Sequence, residues 1–595
     1  MTTQRLLTIA LLFSSAAQAA AQGPYRQEVV VTAAATPVEL GTVTRTLTVI
    51  TREEIARLPV HSIADVLRLT GLVDVRARGE RGVQTDFAIR GAHFGQMLVL
   101  VDGVRLNDAQ SGHHNGDIPV PLDAVERIEV LHGPGSSLFG ADAFGGTVNV
   151  ITRREAPASA VVGTGSFGLA AGRGQVGLAR GDLRQLLAAE VNRSSGFMVE
   201  RGFLTAGVSA RTRFGERGGL LASYLWKDFG ANGFYGNSPS HEWTNQTLLA
   251  ADRNLGVRVG WRLGSTLSYR THGDHFLWNV HQPGVAENRH RTHAVLGALR
   301  ASRGIGTRGS LTTGMEGGAD WIRSSNLGDH DTQRVSAFGE WRHALAASTQ
   351  LDASLRVDRY TEFGTAWSPA VGVGWWPSSA LRLRGSTGRA FRVPTFTERY
   401  YSDPAHLARS EIGAETARAG EIGADVLLPG AWTVTSTVFL RQDEDVIDWL
   451  RPTAADRWRT YNIRDVDTLG LELSARKALA SGWFVQAGYT GLDVRAAKVT
   501  GLSKYVLDYA PHSLAVAASV TLPVDVQVAP RVEYRHRTRS TGTSDYAVVD
   551  VRVSRRFGLY ELQVDGTNLG DTDYQEVLGV AMPGRAVTLS LAFGR

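Results

Sequence analysis

The sequence predicts a mainly β protein: a 22-stranded antiparallel transmembrane β-barrel behind a compact N-terminal α/β domain. Three observations carry this. Residues Met1–Ala21 have the form of an export signal, with Arg5 before the apolar run "LLTIALLF" and small residues in "AAQAAAQ". That run is shorter than the roughly 17–25 residues a spanning helix needs, and no comparable run follows. The exported chain has no cysteine, so it holds together without disulfides. A closed barrel does this by pairing every backbone group around a ring. Finally, segments of period two recur across the C-terminal three-quarters of the chain, the pattern of transmembrane strands.

Composition alone leaves a secreted β-rich protein beside an outer-membrane barrel. The formal charge of +5 is mild for 595 residues and gives no reason to expect a nucleic-acid partner. In chain order, "EVVVTAAATP" (residues 28–37) starts as a strand and dissolves into alanines and a proline, within an N-terminal segment over residues 22–41. Residues 42–154 read as the α/β domain. "TLTVIT" is a strand, and Thr51 with Glu54 forms a capping box for a helical period through "TREEIARLPVHSIADVLRLT". "FAIRG", "MLVLVDGVRL", "VERIEVLHG" and "GTVNVIT" are short apolar strands.

From residue 155 to 595 the pattern changes. "LLASYLWKDF", "TVTSTVFLRQ", "YAVVDVRVSRRF" and "AVTLSLAF" alternate apolar with polar or small residues between turn clusters. A soluble sandwich also alternates, but the number and length of the segments and the export signal favour the barrel. Divided among 22 strands, the region gives about 20 residues per strand and connection; rings of 16–18 fit less well.

Several stretches are similar to TonB-dependent outer-membrane receptors. "SIADVLRLTGLVDV", "FAIRGAHFGQMLVLVDGVRLND" and "AVERIEVLHGPGSSLFGADAFGGTVNVITRR" resemble their plug domain. "GSTGRAFRVPTFTERYY", "AETARAGEIGADV", "YNIRDVDTLGLELS" and the tail "TNLGDTDYQEV" through "PGRAVTLSLAF" resemble barrel landmarks. The resemblance implies that the α/β domain plugs the barrel lumen in the outer membrane of a Gram-negative-type bacterium, as a monomer in contact with lipid. It also implies that Val29, Val30, Val31 and Thr32 form the box engaged by TonB, itself part of an inner-membrane energising complex. Strand addition is the physics: main-chain hydrogen bonds to an exposed edge need β-propensity rather than particular side chains. The alanines and Pro37 are expected to keep this segment from docking into the plug as a longer strand.

The five glycines between His132 and Gly146 suit a domain that approaches a wall closely and turns sharply. The stretch lacks the Lys-Ser/Thr ending of a phosphate-binding loop. By resemblance, Arg90 pairs with the barrel residues Glu421 and Glu472, while His132 stands where the family has a second arginine. A neutral His132 would leave the cluster negative, so a proton on His132 or another cation is expected.

Substrate contacts are expected from His113, His114 and Asn115 in an apical plug loop, and from two further stretches. One holds Phe234, Tyr235, His241 and Trp243; the other holds Trp278 with His272, His275, His281, His290 and His293. Imidazole suits transition metals and aromatic faces suit flat macrocycles, but spacing alone defines no metal site. His406 lies inside "DPAHL" rather than between it and "FRVP", which weakens a haem reading. The last strand places Val587, Leu589, Leu591 and Phe593 on one face, with Gly594 and Arg595 after the terminal aromatic.

No motif marks an enzyme, a catalytic residue or a cofactor. The expected activity is TonB-dependent import of a metal chelate, a ferric siderophore first, cobalamin second and haem behind both. A passive porin or adhesin barrel is the alternative of a different class; the box-like strand and complete plug argue against it.

Overall fold

The computed structural model describes residues 29–30, 32–463, 465–478, 483–496 and 501–594. The expected export signal (Met1–Ala21), Val31 of the expected TonB box and Arg595 lie outside the described residues.

The N-terminal elements are β1 (Val29–Val30), β2 (Val38–Glu39), β3 (Leu47–Thr51), α1 (Arg52–Arg57), α2 (Ile63–Arg68), β4 (Val73–Ala77), β5 (Thr85–Ile89), β6 (Met97–Val101), β7 (Val104–Arg105), β8 (Val125–His132), α3 (Ser136–Phe139) and β9 (Gly146–Thr152). The capping box forms as expected: Thr51 N–H donates to Glu54 Oε2 at 2.7 Å, and Glu54 N–H returns to Thr51 Oγ1 at 3.5 Å. The single helical period after it is two short helices, because Pro59 has no N–H and its ring obstructs the preceding turn. Strands β3-β8-β9-β6-β7 form one sheet in that order, and β4 pairs with β5. Ile50, Val66, Leu67, Val99, Val130 and Val148 build the core, against which the barrel residues Leu186, Leu221 and Leu248 also pack.

The remaining chain closes into a ring of 22 strands. Consecutive strands pair antiparallel, and Ser159–Gly165 meets the last strand, Ala586–Phe593. Strand lengths run from 7 to 19 residues. About 10 tilted residues cross the hydrocarbon layer, so the longer strands continue past it. Alternation sets the two faces. In the last strand Ala586, Thr588, Ser590 and Ala592 are buried inward, while Val587, Leu589, Leu591 and Phe593 face outward. Outward-facing Leu178, Leu187, Val208 and Leu299 continue that apolar exterior.

Inward, the wall is polar and pressed against the plug; Arg356, Arg392, Arg535, Arg537 and Arg552 are fully buried there. The closest approach lies outside the glycine-rich stretch. Gly71, at φ +66°, meets Gly488 backbone to backbone, and a Cβ on Gly488 would stand 1.7 Å from the Thr70 carbonyl oxygen. Only glycine fits such an approach.

One end of the barrel has tight turns, such as 181–182, 259–260 and 347–348, and the other carries long connections at 393–414, 445–465 and 568–585. Short turns face the periplasm and long loops the exterior. Residues from the long loops form a small outer sheet: His406–Leu407, Val446–Arg451, Trp458–Ile463 and Leu502–Ser503.

Candidate functional site

Several ion pairs join plug and barrel, and two clusters of them stand out, one toward each end. On the tight-turn side, Arg90 leaves β5 with φ +55°. Its Nη1 donates to Glu421 Oε2 and its Nη2 to Glu472 Oε2, both at 2.6 Å. Burial alone would lower the Arg90 pKa, but the two carboxylates outweigh it and raise it above the ordinary guanidinium value. His132 Nδ1 sits 2.9 Å from Glu472 Oε1 and its Nε2 3.0 Å from Thr48 Oγ1. The further cation that the sequence left open is Arg384, whose Nη1 lies 3.4 Å from Glu421 Oε1. Arg90 and Arg384 thus face the two glutamates.

At the same end lies the N-terminal segment. Val29 and Val30 pair with Glu39 and Val38, and Val30 is fully buried. Thr32 donates from N–H and Oγ1 to Glu129 Oε2 at 2.8 and 2.7 Å, and Ala35 N–H donates to Glu340 Oε2 at 2.8 Å. The alanines and Pro37 are expected to keep this segment from extending a plug strand; Ala33, Ala34 and Ala35 are nevertheless buried, because small side chains let the backbone reach these carboxylates. The segment docks without joining the five-stranded sheet.

Toward the exterior a cavity of about 530 Å³ opens above the plug. Of the expected contact residues, His113, His114, Phe234, Tyr235 and Trp278 line it, as do His290 and His406. His113 stacks on Phe94 at 4.1 Å between ring centroids and places Nδ1 2.9 Å from Asp86 Oδ1. Burial lowers its pKa despite that carboxylate, so the ring is neutral at pH 7. Asn115 is instead buried beneath the loop, where its Oδ1 accepts from Asp108 N–H at 3.1 Å.

His241 and Trp243 are corrections. They alternate with the inward Glu242 and Thr244, so they belong to the outer face; His241 holds Asp228 at 2.6 Å and Trp243 stacks on His275 at 4.7 Å. The same parity separates the other histidines. His272 and His290 are buried inward, whereas His293 stacks on Trp321 at 5.1 Å on the other face.

Sequence reasoning missed the opposite wall: Arg78, Trp449, Lys504 and Tyr505. Lys504 Nζ lies 3.0 Å from His406 Nε2, and burial pulls its ammonium down to about 8. Arg78 pairs with Asp86 at 2.9 Å, and Tyr505 Oη sits 3.3 Å from His113 Nε2. The cavity is therefore aromatic, with arginines and carboxylates largely paired to one another.

Under its floor, His114 and His272 stack at 4.3 Å beside Asp117. Burial would lower the His114 pKa, but Asp274, Asp117 and Asp108 outweigh it and lift it to about 9.

Comparison with known proteins matches this geometry. The family profile "TonB dependent receptor-like, beta-barrel" matches residues 191–569, and "TonB-dependent Receptor Plug Domain" matches residues 39–147. Among related sequences, the vitamin B12 transporter BtuB of Photobacterium profundum is 26% identical over 576 residues, covering 89% of each chain. That of Vibrio vulnificus is 25% identical over 458 residues, covering 72% of each. Among solved structures, the siderophore receptor PirA from Acinetobacter baumannii aligns with TM-score 0.74 at 17% identity, over 92% of this chain and 98% of that one. FpvAI in its complex with pyocin S2 aligns with TM-score 0.75 at 17% identity, over 96% and 90%. At such identities the structures establish the fold. Plug, barrel and profile matches converge: the chain belongs to the TonB-dependent receptor family, the plugged transport barrels of the Gram-negative outer membrane.

Proposed function

We propose that this receptor imports a bulky metal chelate, and that cobalamin takes precedence over a ferric siderophore. The observation that carries the choice is the apical cavity. Its wall offers aromatic faces from Phe94, Tyr235, Trp278, Trp449 and Tyr505, while Arg78 is matched by Asp86. Such a wall suits a large uncharged ring system with a few polar attachment points better than a highly anionic chelate. Similarity to two vitamin B12 transporters over 89% and 72% of the chain supports the same ordering.

TonB engages Val29–Thr32 by strand addition, which requires the Thr32–Glu129 and Ala35–Glu340 bonds to open. Strand β5 is the physical link between the two ends. Asp86 on β5 holds His113 in the cavity wall, and Arg90 at its end holds the two barrel glutamates. Substrate drives the change only to the extent that it binds the TonB-accessible state more tightly.

The test is the visible spectrum of purified protein incubated with cyanocobalamin or pooled ferric siderophores and then washed. Retained corrin bands are expected; a ferric charge-transfer band with no corrin band reverses the order, and a colourless protein removes both chelates. Val30→Pro is expected to leave binding intact and abolish energised uptake, since it removes a backbone donor. Uptake at the unaltered level in that variant would take TonB away from this segment.

A further inference from the structure

The cluster beneath the cavity floor has a geometry that chelate import does not use. His114 and Asp117 come from the plug loop and His272 from the barrel wall, and one ligand atom from each falls within 4.8 Å of the others. Both rings turn one nitrogen toward the same oxygen: Asp117 Oδ2 is 3.0 Å from His272 Nε2 and 3.9 Å from His114 Nδ1. The other oxygen, Asp117 Oδ1, is fixed by Lys227 at 2.6 Å.

The far nitrogens face two further carboxylates. His272 Nδ1 is 3.7 Å from Asp108 Oδ2, and His114 Nε2 is 3.5 Å from Asp274 Oδ2. A carboxylate behind each imidazole is the outer shell that orients histidine ligands of a metal ion. His272 is fully buried, yet its Nδ1 has no hydrogen-bond partner, and neither does Asp274 Oδ1. Lys227 pairs with Asp117 and Arg270 with Asp108, while Asp274 faces His114.

We propose that His114, Asp117 and His272 bind a divalent transition-metal ion of the zinc class and so clip the apical plug loop to the barrel wall. Two imidazoles and one carboxylate make a nitrogen and oxygen donor set suited to zinc, with a remaining position for water. His114 also borders the chelate cavity, but Asp117 and His272 lie outside its lining, so this site is set below the space a transported chelate would fill.

The test uses full-length protein in detergent, stripped with chelator and reloaded with Zn²⁺ or Co²⁺. Cobalt is expected to bind one per chain with the visible d–d bands of low-coordinate Co²⁺. His114→Asn and His272→Asn are each expected to weaken it at least about 100-fold, and Asp108→Asn about 10–100-fold through the outer shell. His281→Asn, in an exposed loop, is expected to leave it unchanged. A misfolded variant would also lose cobalt, so X-ray absorption of the unaltered zinc form decides. Two imidazole nitrogens and a carboxylate oxygen at about 2.0–2.2 Å support the site. No retained zinc, a first shell without imidazole, or binding undiminished in both histidine variants overturns it.

Discussion

The Arg90 and His114 clusters between plug and wall are built from similar parts to different ends. Around Arg90, both carboxylates are met by guanidinium groups, and Thr46 N–H adds a 2.8 Å bond to Glu421. Around His114, two imidazoles turn toward one carboxylate oxygen, and His272 Nδ1 and Asp274 Oδ1 lack hydrogen-bond partners. The first sets an arginine against each carboxylate, which suits a permanent seat for the plug. The second gathers two imidazoles on one carboxylate, which suits a contact that a metal ion completes.

The largest effect should come from breaking the Arg90 contact. Arg90→Ala leaves Glu421 and Glu472 buried without their shared donor, and removing one partner of such a pair costs about 3–5 kcal/mol. The urea midpoint for exposure of the plug to protease should fall accordingly, while the barrel transition stays in place. An unchanged midpoint would mean that the arginine does not seat the plug.

An intermediate effect separates the two ends by pH. Arg90 stays charged throughout the accessible range, so the lower contact should not respond to alkali. Lys504 in the apical wall loses its proton near pH 8 rather than near the ordinary lysine value of about 10.4. The ammonium is present below that pH and lost above it. Affinity for an anionic ferric chelate should therefore fall as pH rises from 7 to 9, and Lys504→Met should flatten the profile. A profile equally steep in Lys504→Met would assign the titration to another group.

The smallest effect tests the parity of the wall. His241→Ala and Trp243→Ala, on the outer face, should leave chelate affinity within about twofold, as surface changes generally do. Tyr235→Ala, whose hydroxyl accepts from Gln84 at 2.6 Å in the cavity wall, should weaken it clearly. Comparable losses at Trp243 and Tyr235 would contradict the strand register.

The barrel was legible because its signal is local: period two over each strand and turn residues between. The capping box at Thr51 and Glu54 was legible for the same reason. Pro59 was visible, yet the apolar period running across it masked the break between α1 and α2. The cavity was half legible. His113, His114, Tyr235 and Trp278 stand in conspicuous histidine and aromatic clusters, but Lys504 and Tyr505 come from a stretch with no such signal and reach His406 and His113 respectively only through folding. Parity along the strand from His241 could have excluded Trp243, had the inward-facing set been fixed by a single known contact such as Gln246 with Asp117. Arg384 follows the same rule. It shares a face with Arg382 in "RLRG", and only the lumen reveals that this face meets Glu421 and Asp425.

The seam of the ring has a consequence for assembly. Successive barrel strands pair with their chain neighbours, so those contacts form at low cost in loop entropy. The pairing of Ser159–Gly165 with Ala586–Phe593 is different, since it joins the first strand to the last. The plug precedes both and is larger than any opening a sealed wall would leave, with Gly71 against Gly488 backbone to backbone. The order of events is thus constrained: the nascent plug must be cradled by an open, curling sheet before the final hairpin zips shut. Substitutions that slow this last closure would trap chains with the plug outside, even where every finished contact is intact.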